Sequence, residues 1–82
     1  MTNVLPLIMM PERKECTIYD IHAGRGLLRR LIEMGFSKGT KLKILKADRG
    51  CLIVSVGGCK FALSKGIAMK IMVTDYLFSE VE

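Results

Sequence analysis

Residues 52–63 read L-I-V-S-V-G-G-C-K-F-A-L, and this stretch decides the fold that the chain can adopt. Two runs of strand-forming residues flank the Gly57-Gly58 pair, which is a strong signal for a two-residue β-hairpin turn. That turn fixes the register, and three apolar pairs then share one face: Leu52 with Leu63, Val54 with Phe61, and Val56 with Cys59. We therefore predict that this face is buried, Cys59 and Phe61 included. Lys60 is then paired with Ser55 on the opposite face and points into solvent.

The residues before the hairpin predict two further strands and one helix. Residues 16–21 are rich in β-branched and aromatic side chains, and in residues 41–46 lysine and apolar side chains alternate. Both patterns are typical of strands with one buried face. Between them, five apolar residues recur with the spacing of an amphipathic helix: Leu27, Leu28, Leu31, Ile32 and Met34. Gly35 is predicted to end this helix with a positive φ, because glycine has no Cβ to oppose that conformation.

After the hairpin, Ser64 is predicted to cap a short helical turn, and residues 71–73 predict one more strand. Antiparallel strands this short bury their apolar sides poorly in a flat sheet, whereas closure into a barrel buries them and removes exposed edges. The predicted fold is mostly β: a small SH3-like barrel with one inserted α-helix and a short helical turn before the last strand. A chain of 82 residues is too short for two cores, so residues 1–82 are predicted to form a single domain.

Composition limits the class of protein further. The sequence is 50% hydrophobic and 26% charged, as a folded globular chain is. Its first apolar run, residues 4–10, is interrupted by Pro6 and is too short to cross a bilayer, and no basic residue precedes it as in a secretion signal. The 3 cysteines include no C-x-x-C pair, so they encode neither a disulfide framework nor a zinc knuckle. These features predict a protein that stays in a reducing cytoplasm.

Residues 24–40, G-R-G-L-L-R-R-L-I-E-M-G-F-S-K-G-T, resemble the central signature of the FeoA family. That signature has small residues, a Leu- and Arg-rich helix, a Leu-Gly-Leu segment and a Pro-Gly turn. In this chain, residues 34–36 correspond to the Leu-Gly-Leu segment and residues 38–39 to the Pro-Gly turn. Residues 58–73 resemble the family's closing hairpin, helical turn and last strand, so the resemblance extends over roughly residues 5–73. The chain departs from the family where residues 13–15 lack a usual glycine and where Lys38 replaces a usual proline.

The resemblance implies an SH3-like barrel that serves as a small cytoplasmic accessory protein of bacterial ferrous-iron uptake. It implies protein–protein binding to FeoB, the membrane-embedded iron transporter with a cytoplasmic GTP-hydrolysing domain, and contact with the membrane only through that partner. It implies neither enzymatic activity nor a cofactor. The same barrel type closes iron-dependent repressors, but this chain has no room for their DNA-binding helices.

The residues that could carry chemistry form no pattern typical of an enzyme or a metal site. His22 is the only histidine, and without an evident nucleophile or carboxylate partner it is interpreted as an ordinary surface residue. No Walker-type phosphate loop is present, and Gly24 and Gly26 do not have the spacing of a dinucleotide fingerprint. Five potential iron ligands have a spacing that matches no known site: Glu12, Glu15, Cys16, Asp20 and His22. We predict no catalytic residue, no metal site and no cofactor, and an Fe(II)-binding carrier or regulatory domain stays as an alternative.

The net charge of +5 raises a second alternative, a nucleic-acid-binding barrel. Seven basic residues cluster in the middle of the chain: Arg25, Arg29, Arg30, Lys38, Lys41, Lys43 and Lys46. No aromatic side chains interleave with them for base stacking, so a solvated surface or an acidic protein partner is the preferred interpretation.

The helix supplies the candidate docking site. Its apolar stripe is wide for one small barrel, so either all five residues belong to the core or part of the stripe stays exposed. In the second case, exposed leucine beside arginine is typical of protein interfaces. The predicted partner-binding residues are Leu27, Leu28, Arg29 and Arg30. Because adjacent helical residues point about 100° apart, one of the two leucines is expected to be more exposed than the other.

Overall fold

Six antiparallel strands form one sheet in the computed structural model, which describes residues 4–74. The strands are β1 (Val4–Pro6), β2 (Glu15–Ile21), β3 (Lys41–Ala47), β4 (Cys51–Val56), β5 (Cys59–Ser64) and β6 (Ile71–Thr74). They lie side by side in the order β1-β6-β2-β3-β4-β5. Three helical segments connect them: a 3-10 turn (Leu7–Met9), α1 (Arg25–Glu33) and α2 (Lys65–Ala68). The structure confirms the predicted architecture: a mostly β fold with one inserted helix and a short helical turn before the last strand.

The β4–β5 hairpin has the predicted register. Gly57 and Gly58 have φ values of 57° and 86°, the positive values that a two-residue hairpin turn requires and that glycine adopts without strain. The cross-strand pairs are the predicted ones: Leu52 with Leu63, Val54 with Phe61, Val56 with Cys59, and Ser55 with Lys60. On the apolar face Leu52, Val54, Val56 and Leu63 are buried, while Lys60 on the other face is exposed.

Two residues of the hairpin are less buried than the sequence predicts. Cys59 is exposed, so the prediction of a buried thiol is wrong, and Phe61 is only half-buried. Both residues lie on β5, which is an edge strand of the sheet formed by residues 4–74, so no described strand lies beyond it to cover them. Cys59 also directly follows the turn. Phe61 keeps an edge-to-face contact with Phe36, with ring centroids 5.4 Å apart.

Strand β1 is not predicted by the sequence. It has three residues and pairs with β6 through Val4–Thr74, Leu5–Val73 and Pro6–Met72. Proline is tolerated there because one side of an edge strand has no ladder partner. The 3-10 turn after β1 contacts α2 and β6, and α2 contacts β4 and β5. These two helical segments therefore bridge the two edges of the sheet.

The inward side chains of the strands form one apolar core. Members from β2, β3 and β6 alternate along each strand: Cys16 and Ile18, Leu42 and Ile44, Ile71 and Val73. Leu7 of the 3-10 turn, Leu31 of α1 and Phe36 complete the core at its open side. Each fully buried large aliphatic side chain contributes about 1.5–3 kcal/mol, so this cluster is the main source of stability.

Helix α1 ends as predicted at Gly35, which has a φ of 107°. The N–H of Gly35 donates to the carbonyl of Ile32 at 3.0 Å, and the N–H of Phe36 donates to the carbonyl of Leu31 at 2.8 Å. These two bonds define a Schellman motif. Leu31 and Phe36 are both fully buried, so the motif fixes the end of the helix to the core.

The short helix α2 begins after the predicted cap, Ser64. The Ser64 hydroxyl accepts the N–H of Ile67 at 3.3 Å, which satisfies one of the donors left free in a first helical turn. Ala68 of the same helix is buried, so the turn is capped at its exposed start and packed against the core at its end.

Candidate partner-binding surface

Helix α1 lies on the barrel with most of its own surface uncovered. Within the helix only Leu31 is buried; Leu27 and Leu28 are half-buried, and Ile32 is 50% exposed. Because Leu31 faces the core, the next residue points about 100° away from it, toward solvent. No helix in residues 4–74, α1 included, has the length and apolar character needed to cross a bilayer.

Two grooves share an apolar ridge on this helix. The ridge consists of Leu28 and Ile32, which are one helical turn apart. The first groove, of about 520 Å³, is lined by Arg25, Gly26, Leu28, Arg29, Ile32 and Glu33. The second groove, of about 440 Å³, is lined by Asp20, Ile21, Leu28, Ile32, Ser37 and Lys38. The ridge and its two grooves are termed the α1 surface below.

The rim of the first groove carries two arginines. Arg25 and Arg29 are one turn apart and exposed, with Glu33 one turn further along. The ion pairs within residues 4–74 both involve Asp20, so neither guanidinium has a carboxylate within 4 Å there. A guanidinium can bind a carboxylate through two parallel hydrogen bonds. This rim is therefore suited to acidic groups on a partner.

The rim of the second groove carries a small charged network around Asp20. Its carboxylate accepts the N–H of Ile21 at 2.9 Å, and it lies 3.6 Å from the ammonium of Lys38 and 3.4 Å from Nε2 of His22. The hydrogen bond from Ile21 lowers the pKa of Asp20, and the nearby Lys38 and His22 add to that effect. Asp20 therefore stays ionised at neutral pH and holds Lys38 beside the ridge.

The structure brings together part of the predicted partner-binding set. Leu28 and Arg29 line the first groove, whereas Leu27 and Arg30 lie outside both grooves. The separation follows from the 100° step between adjacent residues of a helix. Both leucines are half-buried, so burial alone does not rank them. Sequence reasoning placed Ile32 in the apolar stripe without choosing it, although its position four residues after Leu28 was the signal that the two share a face.

The potential iron ligands do not come together. Cys16 is buried in the core on the inward face of β2. The carboxylate of Glu12 accepts the N–H of Ala47 at 2.7 Å, on another part of the molecule. Asp20 and His22 are neighbours, but within the residues that the structure describes no three His, Cys, Asp or Glu side chains group in a way that could hold a metal ion.

Comparison with known proteins relates the whole described fold to iron-uptake proteins. The FeoA domain family matches residues 5–75. A Methanocaldococcus jannaschii protein that is named as an Fe(2+) transport protein A is 41% identical to this chain over 70 residues, which is 85% of each chain. The crystal structure of an iron uptake regulatory protein, FeoA, has a TM-score of 0.79 and 34% identity, and the match covers 87% of this chain and 95% of that one.

A second kind of structure shares the fold. A manganese-dependent transcriptional repressor has a TM-score of 0.82 at 21% identity, and the match covers 90% of this chain but 42% of the repressor. At that identity the likeness shows a common fold alone.

Proposed function

Because the chain belongs to the FeoA domain family of ferrous-iron transport proteins, we propose that it is a cytoplasmic accessory protein that binds the FeoB membrane transporter through its α1 surface. Membership of the family supports ferrous-iron transport as the process, and it is the reason to propose the transporter as the partner. The uncovered ridge of Leu28 and Ile32 is the observation that supports this location for the contact. Leu28, Arg29 and Ile32 form the centre of the proposed interface, with Leu27 and Arg30 at its margin.

The ridge supplies the apolar part of the contact. Ile32 is 50% exposed, whereas Leu31 beside it and Phe36 are fully buried. Covering that exposed half would contribute about 1 kcal/mol from desolvation alone, and more if Leu28 is covered with it. Interfaces draw most of their affinity from a few such residues at the centre of the contact.

The charged rims supply orientation. Arg25 and Arg29 lie on one side of the ridge, and Lys38, held by Asp20, lies on the other. A partner segment with acidic residues flanking an apolar anchor would satisfy both rims at once. Such complementarity raises the rate of encounter and selects one orientation more than it raises affinity.

The test is direct binding to the purified cytoplasmic GTP-hydrolysing domain of the transporter, measured by interferometry or calorimetry. Ile32→Gln removes the exposed apolar side chain of the ridge and is expected to weaken binding about tenfold or more, as loss of a central contact does. The double change Arg29→Ala, Arg30→Ala is expected to slow association and to reduce its dependence on salt.

Met69→Gln is the matched control, because Met69 is 60% exposed like Ile32 but follows α2, away from the ridge. It is expected to bind as the wild type does, and all variants should melt within a few degrees of the wild type. If Ile32→Gln and the double arginine variant both bind normally, the contact lies elsewhere on the barrel. If the wild type does not bind that domain at all, the transporter's membrane-embedded part is the remaining partner to measure.

A further inference from the structure

A second charged surface lies on the outer side of the sheet. Along β3 the inward positions, Leu42 and Ile44, are buried, so Lys41 and Lys43 point outward. The β3–β4 register shifts between Ile44 and Lys46, and Lys46 then pairs with Ile53. Because Ile53 alternates with buried neighbours on β4, the bulge returns Lys46 to the outer side.

The same outer side extends to β5. Lys43 pairs with Ser55 of β4, and Ser55 pairs with Lys60 of β5. Four exposed lysines therefore share one side of three adjacent strands: Lys41, Lys43, Lys46 and Lys60. They are termed the lysine face. The positions between them on β4 and β5 are uncharged: Ile53, Ser55 and Ala62.

The positive charge of this face is not neutralised locally. Neither ion pair found within residues 4–74 involves one of the four lysines, since both pairs are formed by Asp20. Glu15 of β2 is the cross-strand partner of Lys43. Among the described residues that pair across the strands with the lysine face, it is the one acidic residue. Outside these pairs, the carboxylate of Glu12 accepts the N–H of Ala47 next to Lys46, so four ammonium groups stand against two nearby carboxylates.

We propose that the lysine face binds the headgroups of an anionic membrane surface directly, in contrast to the membrane contact through the transporter alone that the family resemblance implies. Adjacent strands are about 4.8 Å apart and outward residues of one strand about 7 Å apart, so the ammonium groups cover a patch roughly 10 Å by 15 Å. Lysine is a hydrated point charge on a flexible stem, which suits a diffuse negative potential more than one fixed phosphate. That potential decays over about a Debye length, near 10 Å, so all four groups can feel it together.

The composition of the face favours lipid over nucleic acid. Binding of single-stranded nucleic acid uses aromatic side chains on which bases stack, together with a groove that follows the backbone. The lysine face is the outer side of a sheet, and none of its seven positions is aromatic.

The lysine face is separate from the α1 surface. Helix α1 is attached to the core side of the sheet through Leu31 and Phe36, whereas the lysines point away from the core. Binding of a lipid surface by the lysines therefore leaves the ridge of Leu28 and Ile32 uncovered. The proposal does not depend on which protein the ridge binds.

The test is sedimentation of the purified chain with vesicles of phosphatidylcholine alone or of equimolar phosphatidylcholine and phosphatidylglycerol. The wild type is expected to partition onto the anionic vesicles at low salt and to be released as salt rises. Each lysine near such a surface contributes about a fivefold gain. Lys41→Gln with Lys43→Gln is therefore expected to lower partitioning about 25-fold.

Lys65→Gln with Lys70→Gln is the matched control, because it removes the same net charge from exposed lysines at α2 instead of the outer side of the sheet. A loss of about threefold or less is expected from that pair. Equal losses in the two double variants, or equal binding of the wild type to both kinds of vesicle, would overturn the proposal. The proposal would also be overturned if the protein bound a single-stranded oligonucleotide tightly but did not bind the vesicles, and if the Lys41/Lys43 double variant lost that oligonucleotide binding. No transporter is present in this assay, so a negative result leaves the proposed function untouched.

Discussion

Gly35 offers a stability prediction whose size follows from its geometry. Its φ of 107° lies in a region that L side chains rarely adopt, and it closes the Schellman motif that attaches α1 to the core. A Cβ added at this position would meet Cγ1 of Val56 at 3.6 Å, which is an ordinary van der Waals contact. Gly35→Ala therefore tests the backbone conformation with little added crowding.

The expected cost of Gly35→Ala is about 1–3 kcal/mol, the usual range for a residue held in a sparsely populated backbone conformation. With a urea m-value of about 1 kcal/mol per molar, as in small domains, the midpoint of unfolding should fall by about 1–3 M at unchanged m. Gly35→Val should cost more, because a β-branched side chain is the least compatible with positive φ.

Gly26→Ala is the control within the same helix. Gly26 has no positive φ and nothing within 4 Å of an added Cβ, so alanine should stabilise α1 by about 0.5–1 kcal/mol. The two glycine-to-alanine changes are thus expected to shift the urea midpoint in opposite directions. If Gly35→Ala unfolds at the wild-type midpoint, the positive φ is not required, and the motif is not what ends the helix.

Three further expectations concern single side chains. Phe61→Ala should lower the free energy of unfolding, measured in urea, by about 2–3 kcal/mol. This is below the usual 3–5 kcal/mol for a fully buried ring, because Phe61 is half-buried on an edge strand. A larger loss would mean that the ring is fully covered. Because its folded-state pKa is lowered, Asp20 should stabilise the protein above its ordinary pKa of 3.8 and lose that effect as the pH falls through the folded value. The difference in unfolding free energy from Asp20→Asn should accordingly vanish in acid, and a difference that persists there would count against ionisation as its cause. In the native protein Cys59 should react with an aromatic disulfide reagent well before Cys16, because the Cys59 thiol is exposed and the Cys16 thiol is fully buried. Equal reaction rates would contradict the burial of Cys16.

The hairpin and the end of α1 were predictable because short-range chemistry determines them. A Gly-Gly pair between two apolar runs fixes both turn and register, and a glycine after an apolar stripe fixes a helix end. Strand β1 was not predictable in this way. Its three residues include Pro6, and what makes them a strand is pairing with β6, nearly the whole chain away. The exposure of Cys59 likewise depends on strand order, which places β5 at an edge.

The candidate site was predictable as a region but not in detail. The width of the apolar stripe allowed two outcomes, a fully buried stripe or one left partly uncovered, and the exposure of Ile32 shows the second. Which part is uncovered depends on the rotation of the helix about its axis, and that rotation is set by the contact of Leu31 with Phe36 and the core. The lysine face was predictable in part from the sequence, because the alternation in β3 places Lys41 and Lys43 on one side. The bulge before Lys46 and the cross-strand position of Lys60 depend on strand pairing and could not be predicted in that way.

The position of β6 has a consequence for how this protein is made. Of the six strands it leaves the ribosome last, yet its place is between β1 and β2. Until β6 docks, β2, β3, β4 and β5 can pair in succession, but β1 has no partner and one side of β2 is an open template for other chains. A truncated chain that stops before Ile71 should therefore associate with other chains more than the full chain does, as measured by light scattering.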